Sequence, residues 1–127
     1  MSGIRADVYC DLRLKCTSIK ALEGERKGRV VSKPVYSVVH GVTFRVQAGG
    51  LQRIRSKHVR EVCAYARGTA AEATRDEVAE VAARGVRVHF NPYRADTFTL
   101  DDGTPVYAAD ALAIDHKQAY VVAPVTA

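Results

Sequence analysis

The chain has 127 residues, 47% of them hydrophobic and 26% charged, with a formal net charge of +5. That length suits one domain able to bury a core without disulfide or metal staples. The near-average composition excludes collagen, low-complexity disorder and a coiled-coil rod. No apolar run approaches the roughly 18 residues of a membrane span, and the first seven residues lack the basic-then-apolar order of a secretion signal. A small soluble intracellular domain with no membrane partner is expected.

In chain order, Ile4, Ala6, Val8, Cys10, Leu12, Leu14 and Cys16 alternate with mostly polar residues. A strict period of two predicts one long strand with a buried face, with Cys10 and Cys16 both on it. Residues 22–34, with two glycines and mixed charge, predict an exposed loop or hairpin tip. Residues 35–39 and 42–47 read as two strands broken at His40-Gly41. Leu51, Ile54, His58 and Val59 then fall at helical spacing among basic residues, predicting a short helix over about 51–59. Residues 62–67 fit either an extension of that helix or a strand.

Thr74, three residues before Glu77, forms a capping box and predicts a helix over 75–84, with Gly85 as a left-handed C-terminal residue. Val86, Val88 and Phe90 alternate into Asn91-Pro92, which ends a strand. A short strand over 97–100, a tight turn at Asp101-Asp102-Gly103 and a final hairpin over 106–122 follow, and residues 124–127 read as a tail. The sum is an α+β fold, a mainly antiparallel sheet with two short helices. It forms a single compact domain over 1–127 that ends in a short, disordered tail.

The charge is uneven. Residues 1–68 hold 14 Lys/Arg against 5 Asp/Glu, while residues 69–127 hold 5 against 9. Such asymmetry points to an anionic partner for the basic half, or to oppositely charged halves meeting between subunits. Solvated charge kept for solubility is the plain alternative. Cys10, Cys16 and Cys63 form no C-x-x-C pair and read as reduced small hydrophobes. The four histidines stand singly, without metal-ligand spacing, so neither metal nor cofactor is expected.

Two clusters suit binding. Arg53, Arg55, Lys57, His58 and Arg60 lie within eight positions, and on a helix Arg53, Lys57 and Arg60 share a face. Guanidinium groups offer phosphate a bidentate, charge-assisted fork. Phe90, Asn91, Pro92, Tyr93 and Arg94 combine rings for stacking, an amide for a base edge and a cation for phosphate. The ordinary readings are a solvated face for the first and core aromatics around a turn for the second. The acidic set Asp96, Asp101, Asp102, Asp110 and Asp115 falls in turns without an apolar setting, so general acid/base chemistry is rejected.

The run Gly50, Arg53, Ile54, Val62, Ala64, Tyr65, Gly68, with Lys33 to Tyr36 before it, resembles a pattern of small phage proteins. So does the run of Phe90 to Arg94 followed by Phe98, Pro105, Val106 and Ala109. The family it resembles is the Thoeris anti-defence sponge, which sequesters cyclic ADP-ribose-type signals made by bacterial TIR enzymes. The resemblance covers about residues 33–110. It implies a non-enzymatic homo-oligomer in the host bacterial cytoplasm that holds a cyclic nucleotide, in some members a cyclic oligonucleotide. Arg53, Phe90, Asn91, Tyr93 and Arg94 match its motifs; Arg55, Lys57 and Arg60 are added on charge. Cys63 stands where His is expected and His89-Phe90 where Tyr is usual, which leaves ligand choice open. The resemblance also favours a strand over 62–67.

The alternative is a small basic nucleic-acid-binding or partner-inhibiting phage protein. Nucleic acid is disfavoured because no strand interleaves aromatic and basic residues repeatedly and the second half is acidic. An enzyme is not expected, since no activated nucleophile or acid/base pair can be named.

Overall fold

The computed structural model describes residues 3–11, 16–46, 64–89, 98–115 and 118–126. The strands are β1 (Ile4–Asp11), β2 (Cys16–Ala21), β3 (Val30–Ser32), β4 (Tyr36–Val46), β5 (Ala64–Glu72), β6 (Val86–His89), β7 (Thr99–Leu100), β8 (Ala108–Asp115) and β9 (Gln118–Val122). Helix α1 (Arg75–Arg84) lies between β5 and β6. All strands join one sheet in the order β3-β2-β1-β5-β4-β8-β9-β6-β7, and every pairing is antiparallel.

The expectation of two short helices is corrected. The described residues hold nine strands and one helix, a large antiparallel sheet with a single helix among them. The stretch over about 51–59, where the other helix is expected, lies outside them. Of the ambiguous run over 62–67, residues 64–67 belong to the nine-residue β5, in which Ala66 and Ala70 are buried while Thr69 is exposed; 62 and 63 lie outside the described residues. Alternation of that kind selects a strand.

The single strand expected over 4–16 is two strands. β1 and β2 form a hairpin whose register pairs Ala6 with Ala21, Val8 with Ile19, Cys10 with Thr17 and Asp11 with Cys16. The two cysteines therefore occupy different rows instead of one continuous parity. The loop or hairpin tip expected over 22–34 is present only over 22–29, where Gly28 N–H donates to Ala21 O at 2.8 Å; Val30–Ser32, expected in the loop, pair with β2 as β3. The break expected at His40-Gly41 is absent. β4 runs through it with a bulge against β5, and Gly41, at φ +60°, supplies the left-handed residue such an irregularity needs.

The second half of the sheet rolls up. β8 pairs with β9, β9 with β6, and β6 with β7. Thr99 on β7 then bridges Pro105, and Val106 N–H donates to Phe98 O at 2.9 Å, on the segment leading directly into β8. The circuit closes through the chain itself, removing a free edge. Val88, Phe98, Val106, Leu112 and Val121 from this circuit share one buried cluster with Val39, Val42 and Phe44 of β4 and with Ala6 and Val8 of β1. The C-terminal tail is not loose: Val125 bridges Ala108, accepting from Tyr107 N–H at 2.8 Å.

Helix α1 covers part of the opposite face. Val78 and Val81 pack on Val38, Ala111 and Ala113. Its start is the predicted capping box: Glu77 N–H donates to Thr74 Oγ1 at 3.1 Å and Thr74 N–H to Glu77 Oε1 at 3.0 Å. Its end differs from expectation. Gly85 is extended, with φ −121° and ψ −169°, so no left-handed conformation explains the glycine. A Cβ there would lie 2.3 Å from Val121 O; close approach of helix end to strand is the reason.

Candidate functional site

Arg53, Arg55, Lys57 and Arg60, and Phe90, Asn91, Tyr93 and Arg94, lie outside the described residues. The strands that bear the two segments are described. Residues 47–63 connect Val46 to Ala64, which are opposite one another in the β4–β5 register. Residues 90–97 join His89 at the end of β6 to Phe98. Phe98 and Phe44, two residues before Val46, meet with ring centroids 4.6 Å apart and planes tilted by 41°. Tilted contact at this spacing is a favourable arrangement of two ring quadrupoles. Phe44 N–H also donates to Tyr107 O at 2.9 Å, locking the circuit to β4 at that point. The two segments, 27 or more residues apart in sequence at their nearest ends, are thus borne by strand ends in mutual contact.

The strand surfaces beside these ends are basic. Arg45 is exposed, and Arg67 on β5 is half-buried. Arg67 donates from Nε to Asp7 Oδ1 at 2.8 Å and from Nη2 to Asp7 Oδ2 at 3.2 Å, a bidentate fork. The bond to Asp7 raises the guanidinium pKa above its ordinary value. The same guanidinium stands 5.7 Å from the centre of the Tyr65 ring. Sequence reasoning gave no binding role to Arg45, Tyr65 or Arg67. Their signal is the alternation within 64–67, which acquires meaning only when paired with Arg45 and Asp7 across neighbouring strands.

A groove of about 370 Å³ separates α1 from β4 and β5, lined by His40, Thr69, Glu72, Glu77, Glu80 and Arg84 among others. Two of its carboxylates already hold the fold: Glu77 closes the capping box, and Glu72 accepts from the Ser32 hydroxyl. Its mixed charge does not match the phosphate chemistry of the predicted clusters. Of the acidic turn residues, Asp102 accepts Thr104 N–H at 2.9 Å. Bonds from Thr104, side chain first and then backbone, hold its carboxyl below the usual range. Asp101 contacts His89 Nε2. Both lie in the expected turn, whereas Asp110 and Asp115, expected in turns as well, lie in β8, and Asp96 is outside the described residues. Among the described residues no three His, Cys, Asp or Glu side chains converge as a metal site, and no helix is long and apolar enough to cross a membrane.

A small antiparallel protein with a rolled sheet is a frame for many functions, and fold alone selects none of them. Family membership is more specific. The profile of the Mycobacterium phage L5 gene 82 protein family matches residues 1–122, and the chain belongs to that family of phage proteins. No curated protein and no solved structure matches significantly.

Proposed function

We propose that this phage protein is a non-enzymatic binder that sequesters a cyclic nucleotide immune signal, as its resemblance to the Thoeris anti-defence sponge implies. The ligand is a cyclic ADP-ribose isomer or a related cyclic oligonucleotide, met in the host cytoplasm by a homo-oligomer. Arg53, Arg55, Lys57, Arg60 and Arg94 take the phosphates. Phe90 or Tyr93 stacks on the base and Asn91 reads its edge. The observation that carries the reading is the Phe44–Phe98 contact. It seats the strand ends bearing the basic segment and the aromatic-Asn-Pro-Tyr-Arg segment against each other, the precondition for one pocket served by both. Membership in a phage family supports a role directed at the host.

A sponge has to bind tightly and release slowly. Nanomolar affinity corresponds to about −12 kcal/mol, within reach of a pyrophosphate held by several arginines plus one stacked base. The test is mass spectrometry of small molecules released from the denatured protein after co-expression with a TIR signalling enzyme. Calorimetry with cyclic ADP-ribose isomers and cyclic dinucleotides accompanies it. A released nucleotide is expected, with retention reduced at least tenfold in Arg94→Ala and Asn91→Ala at unchanged melting temperature. No released nucleotide and no heat with any of these ligands overturns the reading.

A further inference from the structure

The sheet register assembles a surface that no single strand carries. Opposed residues of an antiparallel pair share a face. On the face opposite Ala6, Val8, Ala66 and Phe44, one row holds Arg45 and Tyr65. A second holds Thr43, Arg67, Asp7 and Lys20, and a third His40, Thr69 and Arg5. Arg5, His40, Thr43, Arg45 and Thr69 are exposed; Lys20, Tyr65 and Arg67 are half-buried.

Charge within these rows is lopsided. Their one carboxylate, Asp7, is taken up by the two-pronged bond from Arg67. That bond also fixes the guanidinium beside the Tyr65 ring and so steadies the ring. Arg5, Lys20 and Arg45 have no carboxylate partner among the described residues. Among the described residues, Glu23 accepts from the backbone N–H of Arg5, at 3.1 Å, and forms no ion pair with its guanidinium. The carboxylates of α1, Glu77 and Glu80, bound the surface across the groove and leave β5, β1 and β2 as the positive side.

We infer that this face binds single-stranded nucleic acid, its phosphates on Arg5, Lys20 and Arg45 and one base against Tyr65. Positive rows beside a half-buried ring that keeps part of its surface in solvent suit an extended strand with unstacked bases, whereas a duplex hides its base faces. The spread of the cations argues for a polymer. Arg45 on β4 and Lys20 on β2 are three strand spacings apart, about 14 Å along the sheet, a spread that suits phosphates of successive nucleotides. No single strand interleaves aromatic and basic residues, but the register sets the Tyr65 ring of β5 among cations carried by β4, β5, β1 and β2.

The test is fluorescence anisotropy of the full-length protein with labelled oligo(U) and oligo(dT), with a duplex of equal length and with phosphatidylserine vesicles. Single strands are expected to bind at least tenfold more tightly than the duplex, with log K falling against log salt at a slope of about −2 for three phosphate contacts. Combined Arg5→Gln, Lys20→Gln and Arg45→Gln removes most of that slope. Tyr65→Leu weakens binding about tenfold at unchanged slope, and Tyr65→Phe restores it. Melting curves identify any variant that fails to fold, and the exposed Arg45→Gln and Arg5→Gln single variants then carry the measurement. Unchanged affinity in the folded glutamine variants, tighter binding to duplex, or binding only to vesicles overturns the inference. The glutamine variants should still capture cyclic nucleotide, and Arg94→Ala should still bind single strands, so this inference and the sponge reading fail separately.

Discussion

At the residue scale, two glycines show opposite reasons for the same residue type. Gly41 sits in the bulge of β4 at φ +60° with open space where a Cβ would go. Gly41→Ala therefore meets only the left-handed backbone penalty, about 1 kcal/mol. Gly85 has an unstrained extended backbone, but its missing side chain lets the end of α1 lie against Val121 O, 2.3 Å from where a Cβ would stand. A backbone oxygen cannot rotate away as a side chain does, so β9 must shift. Gly85→Ala is expected to cost about 3 kcal/mol, in the upper part of the overpacking range. Urea denaturation of both variants checks the ranking; equal losses would show that the helix–strand contact is looser than described.

At the element scale, α1 illustrates a local signal that survives into the fold. It has ten residues, shorter than an isolated helix stable in water. It therefore relies on burial of Val78 and Val81 and on its cap. Thr74→Ala removes one acceptor and frees Glu77 from its reciprocal bond, an expected loss of about 1 kcal/mol in chemical denaturation. Thr74→Ser should recover most of it. The strands behave differently. β1 and β2 read in sequence as one element because the apolar alternation continues from Ile4 to Cys16. Alternation is indifferent to a turn; it records a buried face, not where the chain reverses.

At the scale of the whole molecule, closure of the β8–β9–β6–β7 circuit decides what the termini do. The end of the chain, apparently a tail, contributes two main-chain bonds: Val125 O accepts from Tyr107, and Val125 N–H donates to Ala108 O at 2.7 Å. Truncation after Val122 is expected to destabilise the protein by about 2 kcal/mol, at roughly 1 kcal/mol for each lost hydrogen bond. A guanidinium titration of the truncated chain measures it, and an unchanged midpoint would mean the bridge is dispensable. The same closure brings Phe98 to Phe44, so the stability of the circuit and the placement of the proposed nucleotide segments are linked. Loosening one should weaken the other.

Helix α1 and its cap, a tip within 22–34, the turn at 101–103 and the shared parity of Ala6 and Val8 and of Val42 and Phe44 were legible from the sequence alone. Each depends on interactions among near neighbours or on a period of two or 3.6. The charge asymmetry was equally plain, and with it the residues proposed for phosphate binding, since composition needs no fold. Register was not legible. Whether Arg45 stands beside Tyr65, Arg67 beside Asp7, or Phe44 against Phe98 depends on which distant strands share hydrogen bonds. That choice is made by the simultaneous burial of many apolar faces, a property of the whole sheet that no local stretch of residues encodes.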